Sequence, residues 1–265
     1  MPQINAAYVR AFSNQIEALN KSAGKVIVTE EKRLNLTRRI MDGDESAYDE
    51  LLSLMHTVCG SYNKLSASLT CRFYNGIRQG ANLSTDYEAQ PYNWYDEERL
   101  DSSISKSVDE VMQGRNTVPL VNLMTNIASG ELKIASDRTT RNNAIKDPGK
   151  PMFCIVANTG ACAFCQMRAS LGYQYPEKAS IESHDHCTCV ATPIFKGQKV
   201  QDYDPKVFED RYYAAKNLLN GDDVPEELQK RIERAKEAHS SRSNEPWRAS
   251  NETLIAMRYL QGISS

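Results

Sequence analysis

The sequence predicts an α+β protein that is predominantly α: a helical N-terminal region, a small zinc-stapled α/β module, and C-terminal helices. Three observations carry this. Apolar residues recur at three- and four-residue steps through most of the first 147 positions, the period of a helix with one buried face. A proline- and glycine-broken stretch, "DPGKPMFCIVANTG", then gives way to a short β-prone run. Between Cys154 and Cys189 stand five of the seven cysteines and two of the four histidines.

Taken in order, Ala6, Val9, Phe12, Ile16 and Leu19 share one face and predict a first amphipathic helix over 5–19. A second helical region is expected over about 30–41. The pattern reopens after Gly43, with Asp44 or Ser46 as the N-cap and with Leu51, Leu52, Met55, Val58 and Cys59 as the buried stripe. Residues 82–95, rich in turn formers and carrying Pro91, Tyr92, Trp94 and Tyr95, predict a long loop. Helical period resumes over 96–114 and again over 118–147, where Pro119 suits a first turn. Strands are expected over Met152–Ala157 and 189–195, and helix returns over 204–238 with a break at "NGDDVP" and a new start at Pro225. The divisions that follow are a helical region (1–147), a Cys/His-rich module (148–200) and a C-terminal helical extension (201–265).

The 265 residues, 40% hydrophobic and 25% charged, can bury a core. A net charge of −2 argues against a protein that blankets nucleic-acid phosphates. Arg138, Arg141, Lys146 and Lys150 still form a locally basic run that either approaches DNA or is simply a solvated face. The longest apolar stretch, Phe153–Ala157, falls far short of the roughly 20 residues that span a bilayer, so no membrane span is expected. The N-terminus reads as lacking a secretory signal, which makes a reducing cytoplasm the expected site of synthesis. There, clustered thiols are more often metal-binding or catalytic than disulfide-bonded. Cys59 and Cys71 stand apart in helical patterns and read as small core residues.

Tetrahedral zinc needs four thiolate or imidazole ligands at about 2.0–2.3 Å, and two ligands separated by two residues on a tight turn meet that geometry without strain. Cys162 and Cys165 form one such pair, His184 and Cys187 a second, giving C-x2-C-x18-H-x2-C. Cys189 and His186 are competing donors, because alternate residues of an extended strand point the same way. A metal-free redox or disulfide arrangement and a catalytic metal or nucleophile are the alternatives. Zinc deaminase order is wrong, since C-x-x-C precedes the histidines. A metal-dependent nuclease would use His186 beside Asp185, with only His239 or Asn220 to complete it. A thiol protease would need one cysteine singled out for a histidine, which crowding opposes.

The stretch "ANTGACAFCQMRASLGYQYPEKASIESHDHCTCVATPIF" resembles the C-terminal signature of the phage Mu F-like minor head proteins, in the form found in actinobacterial phages and prophages. Their pattern runs G-x-x-C-x-x-C, a small-residue helix ending in Gly, a loop, then H-x-x-C-x-C leading into a proline-containing strand. Gly160, Cys162, Cys165, Gly172, His184, Cys187, Cys189 and Pro193 match it, while His186 departs from the neutral polar residue usual there. The resemblance covers about 40 residues of the chain. It implies a low-copy virion component near the portal, made in the host cytoplasm, contacting portal or capsid subunits and working in head assembly, genome packaging or delivery. Some members of that family are capsid maturation proteases. The helices over 5–19 and 204–238 would then be docking surfaces or, more plainly, core-facing.

Overall fold

A computed structural model describes residues 3–92, 95–157, 161–176, 189–221, 223–240 and 246–263. Among these, the elements run β1 (Gln3–Ile4), α1 (Ala6–Leu34), α2 (Leu36–Met41), α3 (Glu45–Gly80), α4 (Glu97–Met112), α5 (Leu120–Lys146), β2 (Met152–Val156), α6 (Ala163–Ala169), β3 (Val190–Ile194), β4 (Lys199–Val200), α7 (Lys206–Asn220), α8 (Glu226–Ser240) and α9 (Ala249–Leu260). The chain is predominantly helical with a minor β component, as its periodicity predicts.

The first helix corrects the expected boundary between the first two helical regions. α1 continues through 20–29 because Ala23 and Ile27 extend the stripe of Val9, Phe12 and Ile16, all of them buried. The break falls instead at Asn35, in the left-handed conformation (φ 52°) that asparagine tolerates better than most residues. α1 is therefore core-facing along its length. Asp44 caps α3 by accepting from the Ser46 amide at 3.0 Å, as expected.

α1, α3 and α5 form the centre of the molecule, with α2 and α4 on its flanks. α3 and α5 run parallel: the Ser66 hydroxyl donates to the Leu132 carbonyl at 2.8 Å, and further along Thr70 donates to Ser136 at 2.9 Å. Parallel neighbours need a return path, supplied by the long loop and α4. That loop is tied down rather than loose. The Ala89 amide donates to Asn75 Oδ1, and Asn143 both accepts from the Gln90 amide and donates to the Gln90 carbonyl, all within 2.9 Å.

Two apolar clusters fill this bundle. One joins Ile27, Leu36, Leu51, Met55, Leu100, Ile104 and Met124. The other sits where β2 and β3 dock, and joins Phe12, Phe73, Tyr74 and Ile77 to Cys154, Val156, Val190 and Ile194. β2 and β3 pair antiparallel, with Cys154 opposite Thr192 and Ile155 opposite Ala191. The entry to β2 is clamped by Asp147, whose carboxylate accepts from Arg78 at 2.9 Å, from Tyr74 at 3.1 Å and from the Gly149 amide at 2.7 Å. A Cβ on Gly149 would meet Leu83 at 2.8 Å, which is why the turn carries glycine there. A second, parallel strand pair, β1 with β4, is too short to leave any sequence period and was not expected. α7, α8 and α9 pack together around Ala215, Leu228, Ile232, Ala256 and Met257.

Candidate metal centre

β2 and β3 sort their side chains by strand parity, the two-residue period of a pleated strand. Phe153, Ile155 and Ala157 from β2 and its end, with Ala191 from β3, face α6; Cys154, Val156, Val190 and Ile194 face the bundle. Cys189, immediately before β3, falls on the α6-facing side and is 2% exposed. α6 is sorted in the same way. Cys165 and Ala169, four apart, lie on the strand face, while Ala163 and Met167 pack against the C-terminal helices. Cys162 is the N-cap of α6, half-buried, and packs on the Cys165–Cys189 cluster.

Three of the five expected ligands, Cys162, Cys165 and Cys189, thus pack into one small cluster made otherwise of Phe153, Ile155, alanines and Phe208. The other two, His184 and Cys187, lie outside the described residues, as do Asp185 and His186. Among the described residues no group of three or more His, Cys, Asp or Glu side chains is close enough to hold a metal ion. Thiols are the donor type zinc takes, and three of them, on two segments, share this cluster without reaching ligating distance of one another as a set; Cys154 does not belong with them. Its thiol is enclosed on the bundle face, where burial pushes its pKa up to about 12.

The surrounding backbone is fixed from outside the cluster. The Tyr203 hydroxyl donates to the Ile155 carbonyl at 2.7 Å and accepts from the Ala157 amide at 3.3 Å, holding the end of β2 next to the α6 entry. Arg141 on α5 donates to the Pro176 carbonyl at 2.9 Å, and Phe153 exchanges both backbone bonds with Gln174, which adds a third edge to the strand pair. Gln166 on α6 donates to the Ala161 carbonyl at 2.7 Å and accepts from Arg211 and Gln261. The module is therefore buried on both faces.

The basic run over 138–150 is not one surface. Arg138 and Arg141 are half-buried, burial lowers the Arg138 pKa, and Lys146 and Lys150 are exposed beyond them. A uniformly solvated face therefore does not describe it. His239 packs edge-on against Trp247 at 5.5 Å and Asn220 ends α7.

Sequence reasoning missed one polar constellation. Tyr95 hydrogen-bonds His56 Nδ1, and His56 Nε2 lies 2.8 Å from Asp101, linking the long loop to α3 and α4. Burial pushes the Tyr95 phenol pKa up, so it stays a neutral partner. The three residues are far apart in sequence and carry no motif; they reinforce the loop's docking beside the packed residues Leu100 and Ile104.

No helix among the described residues is long and apolar enough to cross a membrane. No curated protein and no solved structure matches the chain. The match to the family described as VG15 protein runs over residues 3–215, from β1 into α7, and takes in every candidate ligand while ending before α8 and α9. Since that span is well over half of the sequence, the chain belongs to the VG15 protein family, a viral gene protein family.

Proposed function

We propose that this chain is a structural minor head protein of a tailed phage or prophage, working near the portal in head assembly, genome packaging or delivery, with a structural zinc site. The observation that supports the zinc reading is that Cys162, Cys165 and Cys189 belong to one packed cluster, on the face opposite Cys154. His184 and Cys187 would complete the donor set. Membership of a viral family, together with the C-x-x-C and H-x-x-C-x-C pattern, supports placement in the virion after synthesis in the host cytoplasm. Portal and capsid subunits are the expected partners, with packaged DNA as an additional neighbour.

A shell closed by four protein ligands has no position for an activated water or a substrate, so the site acts as a staple rather than a catalyst. This weighs against a metal-dependent nuclease and a maturation protease. The staple has a local task. Both faces of β2 and β3 already pack, so metal ligation is needed to tie α6 and the approach to β3 together, not to fold the bundle.

Elemental analysis of the full-length, reduced protein tests the site: one zinc per chain is expected, and a chain that purifies without metal and takes up none when zinc is supplied overturns it. Affinity purification from infected cells tests the assignment, with portal or capsid subunits as the expected partners; their absence overturns the head role. His186→Ala separates the enzymatic alternative, because phosphodiester cleavage by the wild type that disappears in this variant would replace the structural reading.

A further inference from the structure

α8 carries charges of both signs, and the fold sorts them. Glu226, Glu233 and Glu237, seven and four residues apart, fall on one face, and Leu228 and Ile232 are buried against the other C-terminal helices. A third face turns toward α9, where Arg231, Arg234, Ala235, Ile255 and Arg258 line a groove of about 240 Å³. Three arginines thus line a groove with an apolar floor, and no carboxylate is among its lining residues.

The three arginines are not equivalent. Arg231 is held in place: it pairs with Glu227, donates to the Ile263 carbonyl at 2.9 Å and lies over the Tyr259 ring at 5.4 Å. Arg234 and Arg258 are exposed beside the groove; of the carboxylates on these helices, Glu226 pairs with Lys230, Glu227 with Arg231 itself and Glu252 with Lys236, while Glu233 and Glu237 are not among the groove's lining residues. Like charges gathered in a groove repel one another, and an anion placed between them removes that cost. Guanidinium is the group whose planar fork matches the oxygens of a phosphate.

We infer that the groove between α8 and α9 binds phosphate groups of a polynucleotide backbone. The apolar floor of Ala235 and Ile255 accommodates the sugar edge, and Arg234 with Arg258 contacts the phosphate oxygens. The source of phosphate rests on the head-protein reading, in which packaged DNA lies close by; the groove's preference for phosphate does not. Its position lies beyond residues 3–215, so it is a feature of this chain outside the span matched to the family.

Binding of the full-length protein to a fluorescent duplex oligonucleotide, read by anisotropy across a salt series, tests this. The paired substitution Arg234→Glu and Arg258→Glu should weaken binding at least tenfold at low salt and lower the slope of log K against log salt by about two, the count of lost phosphate contacts. Lys64→Glu with Lys106→Glu makes the same change in net charge on exposed positions of α3 and α4 and should cost less than twofold. Circular dichroism confirms that both pairs fold. Equal losses in the two pairs, no binding by the wild type at low salt, or equally tight binding of a poly-glutamate peptide each overturn the proposal. Loss of portal association with oligonucleotide binding retained would sink the head role and leave the groove standing.

Discussion

The two faces of the β2–β3 pair are built from different materials. The bundle-facing side sets Cys154, Val156, Val190 and Ile194 against Phe12, Phe73, Tyr74, Ile77 and Phe195, large side chains that bury a wide apolar area. The α6-facing side has Phe153 and Ile155, with the half-buried Phe208 at its margin, but its other members are alanines and the thiols of Cys162, Cys165 and Cys189. At about 25 cal/mol per Å² of apolar surface removed from water, the first face is held by area alone, while small residues on the second contribute far less per contact. A face short of area gains most from a cross-link. Position, not residue type or burial, separates Cys154 from Cys165: both are nearly inaccessible, and one residue of strand parity or half a turn of helix decides which core they enter.

The largest effect should come from the bundle side. Phe195 is 1% exposed and meets Tyr74 edge-on at 6.0 Å, so Phe195→Ala should cost about 3–5 kcal/mol, measured by urea denaturation. Metal content per folded chain should be unchanged. A variant that lost its zinc before it lost its helices would show that the two faces are not independent. On the opposite face, Ile155→Ala should cost about 2–3 kcal/mol, toward the low end for such truncations, because its surroundings are small and can partly collapse. Here release of zinc to a competing chelator should quicken, and an unchanged release rate would break the link between this cluster and the metal. Cys165→Ser and Cys154→Ser sharpen the contrast: the first should abolish stoichiometric zinc, the second should leave it intact.

How much of this was legible in the sequence differs between the same two regions. The strands over Met152–Ala157 and 189–195 were readable because β-branched and apolar runs lay between turn formers, and the observed strands fall within those limits. The C-x-x-C pair could be seen, but not its segregation from Cys154, since strand parity matters only once the partner of each face is known. α1 was misread at "NKSAGKVIVTE" because the stripe there passes through Ala23, too small to register as apolar patterning, before reaching Ile27. α5 was legible as a helix over 118–147, but its burial on nearly all sides was not. It buries Glu131, Lys133, Asp137, Thr139, Thr140 and Asn143 together with Leu132, so it lacks a polar face. Such a helix is stable only because its polar groups find partners across the fold: Glu131 with Arg99 at 2.6 Å, Lys133 with Asp137, and Asn143 with the long loop. Sequence periodicity carries no record of those partners.

The smallest effect is also the most specific to the comparison. Cys154 keeps its proton up to about 12 in the folded protein, because burial disfavours the thiolate, whereas an unfolded thiol ionises near 9. Between those values the unfolded chain has released a proton that the folded chain retains, so stability falls as pH rises through this window and is unaffected well below it. Cys59, raised to about 12, and Cys71, raised to about 11, add slopes of the same sign. Cys154→Ala should cost about 1 kcal/mol at neutral pH, a typical figure for a single substitution, and make the alkaline decline shallower by about 1.4 kcal/mol per pH unit, one proton's worth. At pH 8 iodoacetamide should leave Cys154 unmodified in the native protein, while stripping the metal should make the half-buried Cys162 the first of the described thiols to react. If Cys154 were alkylated as fast as Cys162 in the stripped protein, the strand pair would have to open on its bundle face, and the division between a face held by area and a face held by a cross-link would fail.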